Sequence, residues 1–596
     1  MSVAGPRSDG DDLRLLRAFE PVVRLTQGEF FVPVGVEAYV RNCSLWRQEP
    51  DGTLTRVAEP GALDLAELAR RGRQMDGVGY SLSGISVRGS RRDRMRSWFR
   101  TERPKFHAGH RLAEVGLTGR AIDTISRLSL LFRGAVPGGS AVASLALQNA
   151  HLDPSRPTYH AHLMRDGDWI VCQYWYFYSF NNWRSGFSGV NEHESDWEQV
   201  TVYLDGTGVV DGEGLPLPRW VVFSAHDETG DDLRRRWDDP DLGLVGGRHP
   251  IVYAGAGSHS GAYLPGDYLI TIVPPSMGGI IPAVRRIAKV LTPWTRAAQG
   301  SGLGIPYIDY ARGDGLSIGP GQDVEWTAVP IDDDTPWVRD FRGLWGHDTR
   351  DRLGGERGPA GPRYERNATV RASWGDPVGW AGLSKVAPNP QAELDLVAGH
   401  IDGIDSELIR LAAETGGGRT ALAEKAAGLA PSAPEVRALE SRERQLTDAR
   451  MTAIRLRDER ERMLRAQRDG IPSADAHAHL RHRRTPISAS ERGRSRVLSA
   501  WAVVSTPLIL LLVASLFLPG IVARPAVAIW MLLAVLAVEA FARGYFLAYV
   551  WRVLLVLLVV STFQAYLENW QVASAGVLAA MAVVVLIVNI RDVRRG

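Results

Sequence analysis

Residues 191–198 read NEHESDWE and run directly into the apolar-alternating stretch QVTVYL at 199–204. His193 and four acids, Glu192, Glu194, Asp196 and Glu198, crowd into eight residues at the mouth of an expected β-strand. Side chains alternate along a strand, so Asp196, Glu198, Val200 and Val202 share one face, and Trp197, Gln199, Thr201 and Tyr203 share the other. Two carboxylates two residues apart on one face repel each other, which costs free energy unless a cation sits between them. His193, from the preceding loop, folds back over the pair. Two carboxylates and an imidazole make a hard, oxygen-rich donor set suited to a divalent cation, Mg²⁺ or Ca²⁺ ahead of Mn²⁺. The spacing fits a half-exposed strand with solvated acids equally well.

Outward from this stretch, 12–388 is rich in Trp, Tyr, Gly and Pro, with short alternating runs split by turn residues. The runs at 169–180, 219–225, 250–257 and 322–329 read, with 197–204, as antiparallel strands. The expected fold class is mainly β, an antiparallel β-sandwich with helical insertions at 63–71 and 281–291. Polar groups cluster at strand ends: Asn181 and Asn182 close the aromatic strand, His226 follows 219–225, and His259 follows 250–257. Histidines at the ends of adjacent strands converge on one rim in such folds.

Beyond residue 388 the aromatics vanish and charge rises. Residues 389–468 read as a charged helical, coiled-coil-like stalk, with helices at 392–414 and 434–467 separated by GGGRT and a Pro-Ser-Ala-Pro break. Val436, Leu439, Leu446, Ile454 and Met463 form its thin apolar seam. Residues 469–498 form a basic linker, and 499–590 carry four apolar blocks of membrane-spanning length, at 499–519, 525–541, 549–566 and 572–590. Arginines before the first block, between the second and third, and after the last place both termini in the cytoplasm by the positive-inside rule. Glu539 lies four residues before Arg543, the spacing of a helical ion pair.

The totals exclude some classes. Lys+Arg 69 against Asp+Glu 67 gives a net charge of +2 over 596 residues, so no global field points to nucleic acid. Two cysteines are too few for a disulfide framework and read as reduced thiols, and the first residues lack the apolar core of a secretory signal. The chain contains no Walker loop, nucleophile elbow, CxxC or HExxH.

Two motifs in order, YWYFYSFN (174–181) and HESDWE (193–198), resemble the vacuolar protein sorting-associated protein 62 family. The opening 19–40, FSAH (223–226), VYAGAGSHSGAY (252–263), FRGLWG (341–346) and GPAGP (358–362) extend the resemblance over about 17–385. The HxxDWE core is also similar to that of the necrosis-inducing toxin family, in which a β-sandwich holds a divalent cation. That resemblance implies His193, Asp196 and Glu198 as ligands, with Asn181 where the toxins place an acid. Ser195 and Glu194 stand where the toxins carry His and Arg, so toxin activity is not implied. His226, His259, Trp175 and Glu194 are the candidate ligand-binding residues around the ion.

The leading expectation is a membrane-anchored, cation-dependent binding module that faces the cytosol and recognises a lipid head group, glycan or protein partner. Its partners would then be the bilayer, such a ligand, and other copies of the chain through stalk and spans. A metal-dependent hydrolase using His226 or His259 as acid or base is the second expectation. A structural role, with the ion stapling strands while the spans oligomerise, is the third.

Overall fold

The structure is a computed structural model. It describes residues 9–72, 78–85, 140–182, 192–224, 233–272, 305–346, 358–468 apart from 385, and 525–593, with isolated positions at 120, between 279 and 289, at 486, and between 498 and 511.

Six strands form the central sheet, in the order β16 (Thr327–Pro330), β5 (Thr158–Asp166), β6 (Trp169–Asn182), β7 (Glu192–Asp205), β8 (Pro218–Phe223) and β9 (Arg234–Arg236). Every residue of β6 is buried, as its continuous aromatic and apolar sequence requires of a strand covered on both faces. The two-residue turn between β5 and β6 is Gly167-Asp168, with Gly167 at φ +56°, the conformation that favours glycine at a tight hairpin.

A second sheet has the order β10 (Leu244–Val245), β11 (His249–Ala254), β1 (Val22–Arg24) and β15 (Ser317–Ile318), with β12 (Gly261–Ala262) on β11. One core contains Val23, Val252, Ala254 and Ile318 of this sheet together with Tyr174, Tyr176, Tyr178, Val200, Val202 and Phe223 of the central sheet. On the other face of the central sheet, Trp169, Val171, Tyr203, Trp220 and Val222 pack on Val378, Ala381 and Leu383. Two small sheets complete the strands: β2 (Ser44–Gln48) between β3 (Leu54–Ala58) and β4 (Gly79–Ser83), and β13 (Gly266–Ile272) with β14 (Ile305–Ala311).

The expected all-antiparallel arrangement needs correction. β1 pairs with β11 in parallel, and β16 with β5 in parallel, so the sheets are mixed and open. Strand makes up 25% and helix 44%, so the chain is not mainly β. Short helices α1 (Asp9–Ala18), α2 (Val36–Asn42), α3 (Leu65–Arg71), α4 (Ser140–His151), α5 (Pro336–Asp340), α6 (Ala372–Gly375) and α7 (Pro377–Trp380) surround the strands. The expected helix at 63–71 is thus α3, while most of 281–291 lies outside the described residues.

The stalk is a pair of long helices, α8 (Pro390–Ala426) and α9 (Pro434–Arg468). α8 runs straight through the three glycines expected to end it; the break falls instead at the Pro-Ser-Ala-Pro stretch. Asn389 caps α8 by accepting from Ala392 N (2.9 Å), and its amide also donates to Asp205 Oδ2 (3.1 Å) and Thr207 Oγ1 (2.9 Å). The stalk is therefore tied to the end of β7. Ala453 is buried while Ile454 is 49% exposed, so the expected seam is offset from the face that packs.

Three apolar helices follow: α10 (Pro525–Ala542), α11 (Phe546–Glu568) and α12 (Trp570–Val593). Two segments, Phe546–Glu568 and Trp570–Asn589, are long and apolar enough to cross a membrane. α10 contains a shorter apolar helix, and most of the first expected span lies outside the described residues.

Candidate functional site

Pairing of β6 with β7 sets Tyr178 opposite Asp196, Tyr176 opposite Glu198 and Asn181 opposite His193. Asp196 and Glu198 therefore share a face, as alternation requires. Ser195 interrupts the strand with a left-handed backbone, φ +59°. His259 has φ +56°. Of three non-glycine residues with positive φ among those described, two lie at this centre. Such a conformation costs about 1–2 kcal/mol and persists only where the surroundings enforce it.

His259 is the hub. Its Nδ1 lies 3.0 Å from Asp196 Oδ2, its Nε2 lies 3.8 Å from Glu29 Oε1, and its ring stacks on Tyr178 with centroids 3.7 Å apart and planes 6° apart. Asn181 Nδ2 donates to the same Asp196 oxygen (3.0 Å), and Trp197 N donates to Asp196 Oδ1 (3.1 Å). Glu29 is itself anchored by Phe30 N (2.8 Å), Phe31 N (3.0 Å) and Gly257 N (2.6 Å).

The glycine-rich stretch 255–261 is the loop that presents His259. Gly255 N donates to Ser260 O (3.0 Å) and His259 N to Gly255 O (2.8 Å), which closes the loop on itself. Asp309 holds it from β14, accepting from Ser258 Oγ and from Ser260 Oγ (2.5 Å). A side chain at Gly255 would place Cβ 2.4 Å from Ser258 Oγ and 2.7 Å from Asp309 Oδ1, so only glycine fits.

Burial alone would lower the proton affinity of His259. The hydrogen bonds and charges of Asp196 and Glu29 outweigh it and raise the pKa to about 9. Burial raises that of Glu29, but His259 and the backbone N–H groups pull it below the ordinary carboxylate value. Glu198 is pushed well above the ordinary value, first by burial and then by the charge of Asp196; Ser224 Oγ, which donates to it, and His259 oppose the rise. At neutral pH the His259 imidazolium therefore stands beside Asp196 and Glu29, and Glu198 holds a proton more tightly than an ordinary carboxyl does.

The remaining sequence-derived residues divide. His193 is half-buried, its Nδ1 2.7 Å from Ser195 O, and burial lowers its pKa against the opposing pull of Asp196. Glu194 points away from the acid pair. It accepts from Tyr39 Oη (3.3 Å), Ser83 Oγ (3.2 Å), Ile85 N (3.1 Å) and Gly84 N, so it ties the start of β7 to β4. Trp175 lies in β6 on the face opposite Tyr176 and Tyr178, against Trp374 and beneath Arg371. His226 lies outside the described residues.

Glu29, Tyr178 and Asp309 complete the centre and were not among the expected site residues. Glu29 falls in the 19–40 opening and Tyr178 in the aromatic motif, so both had a sequence signal; Asp309, in IDYA, had none.

Among the described residues, no group of three or more His, Cys, Asp and Glu stands in metal-holding geometry. By type, the carboxylates of Asp196 and Glu198, on one face of β7, suit a hard cation, while Asn181 turns its Nδ2 donor to Asp196 Oδ2. Comparison with known protein families, curated proteins and solved structures finds no match for the chain.

Proposed function

We propose that the chain is a membrane-anchored binding module in which Asp196 and Glu198, with His193 and Asn181 beside them, take up a divalent cation. The observation that carries this reading is the register of β7, which sets Asp196 and Glu198 on one face, opposite Tyr178 and Tyr176. Desolvation and the charge of Asp196 disfavour the ionised form of Glu198, and a cation between the two carboxylates would offset both. Oxygen donors favour Mg²⁺ or Ca²⁺. Loaded, the ion would supply a positive centre for a phosphate or hydroxyl of a lipid head group or glycan, or for an acidic group on a protein partner. The mixed sheets form the head, carried on the α8–α9 stalk. Four spans with both termini in the cytoplasm hold the head at the inner membrane surface. The similarity of the HxxDWE core to that of the necrosis-inducing toxin family supports the cation set.

Calorimetric titration of the full chain in nanodiscs with Mg²⁺ and Ca²⁺ tests this, beside the double variant Asp196→Asn/Glu198→Gln. Saturable binding by the parent and none by the variant is the expected result. Equal binding by both, or none by a folded parent, rejects the cation site.

His259 supports a second reading. Its imidazolium already supplies one positive charge to Asp196 and Glu29, so the centre can act as a permanent internal staple. Retained head stability with no cation response would favour it.

A further inference from the structure

We infer that Arg120 and Glu539 form a clasp that docks the chain at residue 120 against helix α10, coupling the cytosolic head to the membrane region. The inference rests on the membrane anchoring proposed above and not on cation binding.

Glu539 is the one acid in α10 and is 3% exposed. An acid in so apolar a helix is costly unless paired. Its neighbour one turn on provides a partner, with Arg543 Nε 2.8 Å from Glu539 Oε1. That pair alone balances the charge. Yet Arg120, which is fully buried and 419 positions away in sequence, places Nη2 2.6 Å from Glu539 Oε2. Trp501 Nε1 donates to the same oxygen at 2.6 Å. One carboxylate thus gathers three separate segments of chain: residue 120 of the head, residue 501 of the first expected span, and α10 itself.

A guanidinium withdrawn from water is tolerated only where a carboxylate meets it, and removing either partner strands the other. The Arg120 guanidinium meets that carboxylate directly, so the pairing with Glu539 compensates its burial. A displacement of the head that pulls on residue 120 is therefore transmitted to α10, and through Trp501 to the first expected span.

The test uses the full chain in nanodiscs carrying Ala540→Cys, whose site is 1% exposed and adjoins Glu539. Native Cys43 and Cys172 are buried and contribute slow background. The readout is the rate constant for maleimide labelling. Arg120→Gln should raise it by about tenfold or more, and Arg120→Lys, which keeps the charge, by no more than about threefold. Adding Arg120→Gln to Glu539→Gln should raise the rate no further than Glu539→Gln alone, because both remove one interaction. Three results would overturn the clasp: Arg120→Gln within about twofold of the parent, equal acceleration by Gln and Lys, or a double variant equal to the product of the singles.

Discussion

Replacing His259 with glutamine tests whether the centre is held by an imidazolium. In the folded chain His259 releases its proton near pH 9, against an ordinary 6.5. The native state therefore keeps a proton between those values that the unfolded chain gives up. That stabilisation is fully present below pH 6.5 and is lost as pH rises to 9. At about 1.4 kcal/mol per pH unit, the interval is worth about 3 kcal/mol. His259 is fully buried, so solvent does not screen the effect. The substitution also leaves Asp196 and Glu29 facing each other without the charge between them, a loss of about 3–5 kcal/mol at neutral pH. For a head spanning 12–388 each kcal/mol moves the unfolding midpoint by about 1–2 °C. The assay is the tryptophan-fluorescence midpoint of the full chain in detergent, from pH 6 to 10. His259→Gln should melt lower at pH 7 by about 3 °C or more, and the gap should close as pH approaches 9. Midpoints that fall in parallel for both proteins across that range would refute the imidazolium.

Other perturbations have equally definite outcomes. Glu29, whose pKa is lowered, contributes stability that is present above its ordinary pKa and lost as pH falls through the folded value; Glu29→Gln should flatten the acid side of the stability profile, and an unchanged acid limb would contradict this. Glu194→Ala should cost about 2–4 kcal/mol by leaving Gly84 N and Ile85 N without their acceptor, while Tyr39 Oη keeps Trp345 O and Ser83 Oγ keeps Ile85 O; chemical or thermal unfolding that shifts by less than about 1 kcal/mol would remove it as the tie between β7 and β4. Ser195→Gly should stabilise by up to about 1 kcal/mol, because it relieves the left-handed backbone and deletes a buried hydroxyl that has no partner among the described residues; a lower midpoint would contradict the strain. Gly255→Ala should open the loop that carries His259 and reproduce the alkaline profile of His259→Gln, whereas a wild-type profile would show that the loop accommodates a Cβ.

The elements that could be read from sequence are those whose pattern is local. Aromatic and apolar continuity marked β6, alternation marked β7, and the shared face of Asp196 and Glu198 followed from period two alone. The centre itself was legible only in part. His259 and Asp196 are 63 positions apart, and Glu29 meets Gly257 across 228, so their contact depends on β1 pairing with β11 in parallel, which no local pattern encodes. Glu194 and Asp196 look equivalent in sequence, yet they point to different partners because Ser195 turns the backbone between them. The glycines inside α8 mislead in the opposite sense. Each costs about 1 kcal/mol in a helix, but a long helix lying against α9 absorbs that cost where an isolated one would break.

The most direct test of the account is the proton count on cation binding. Titrating the full chain with Ca²⁺ at pH 7, in two buffers of different ionisation enthalpy, gives the protons released per ion bound. Because burial and Asp196 raise the proton affinity of Glu198, cation binding should release protons from the parent and fewer from Glu198→Gln. Saturable binding with no proton released, or no binding at all by a folded chain, would contradict it.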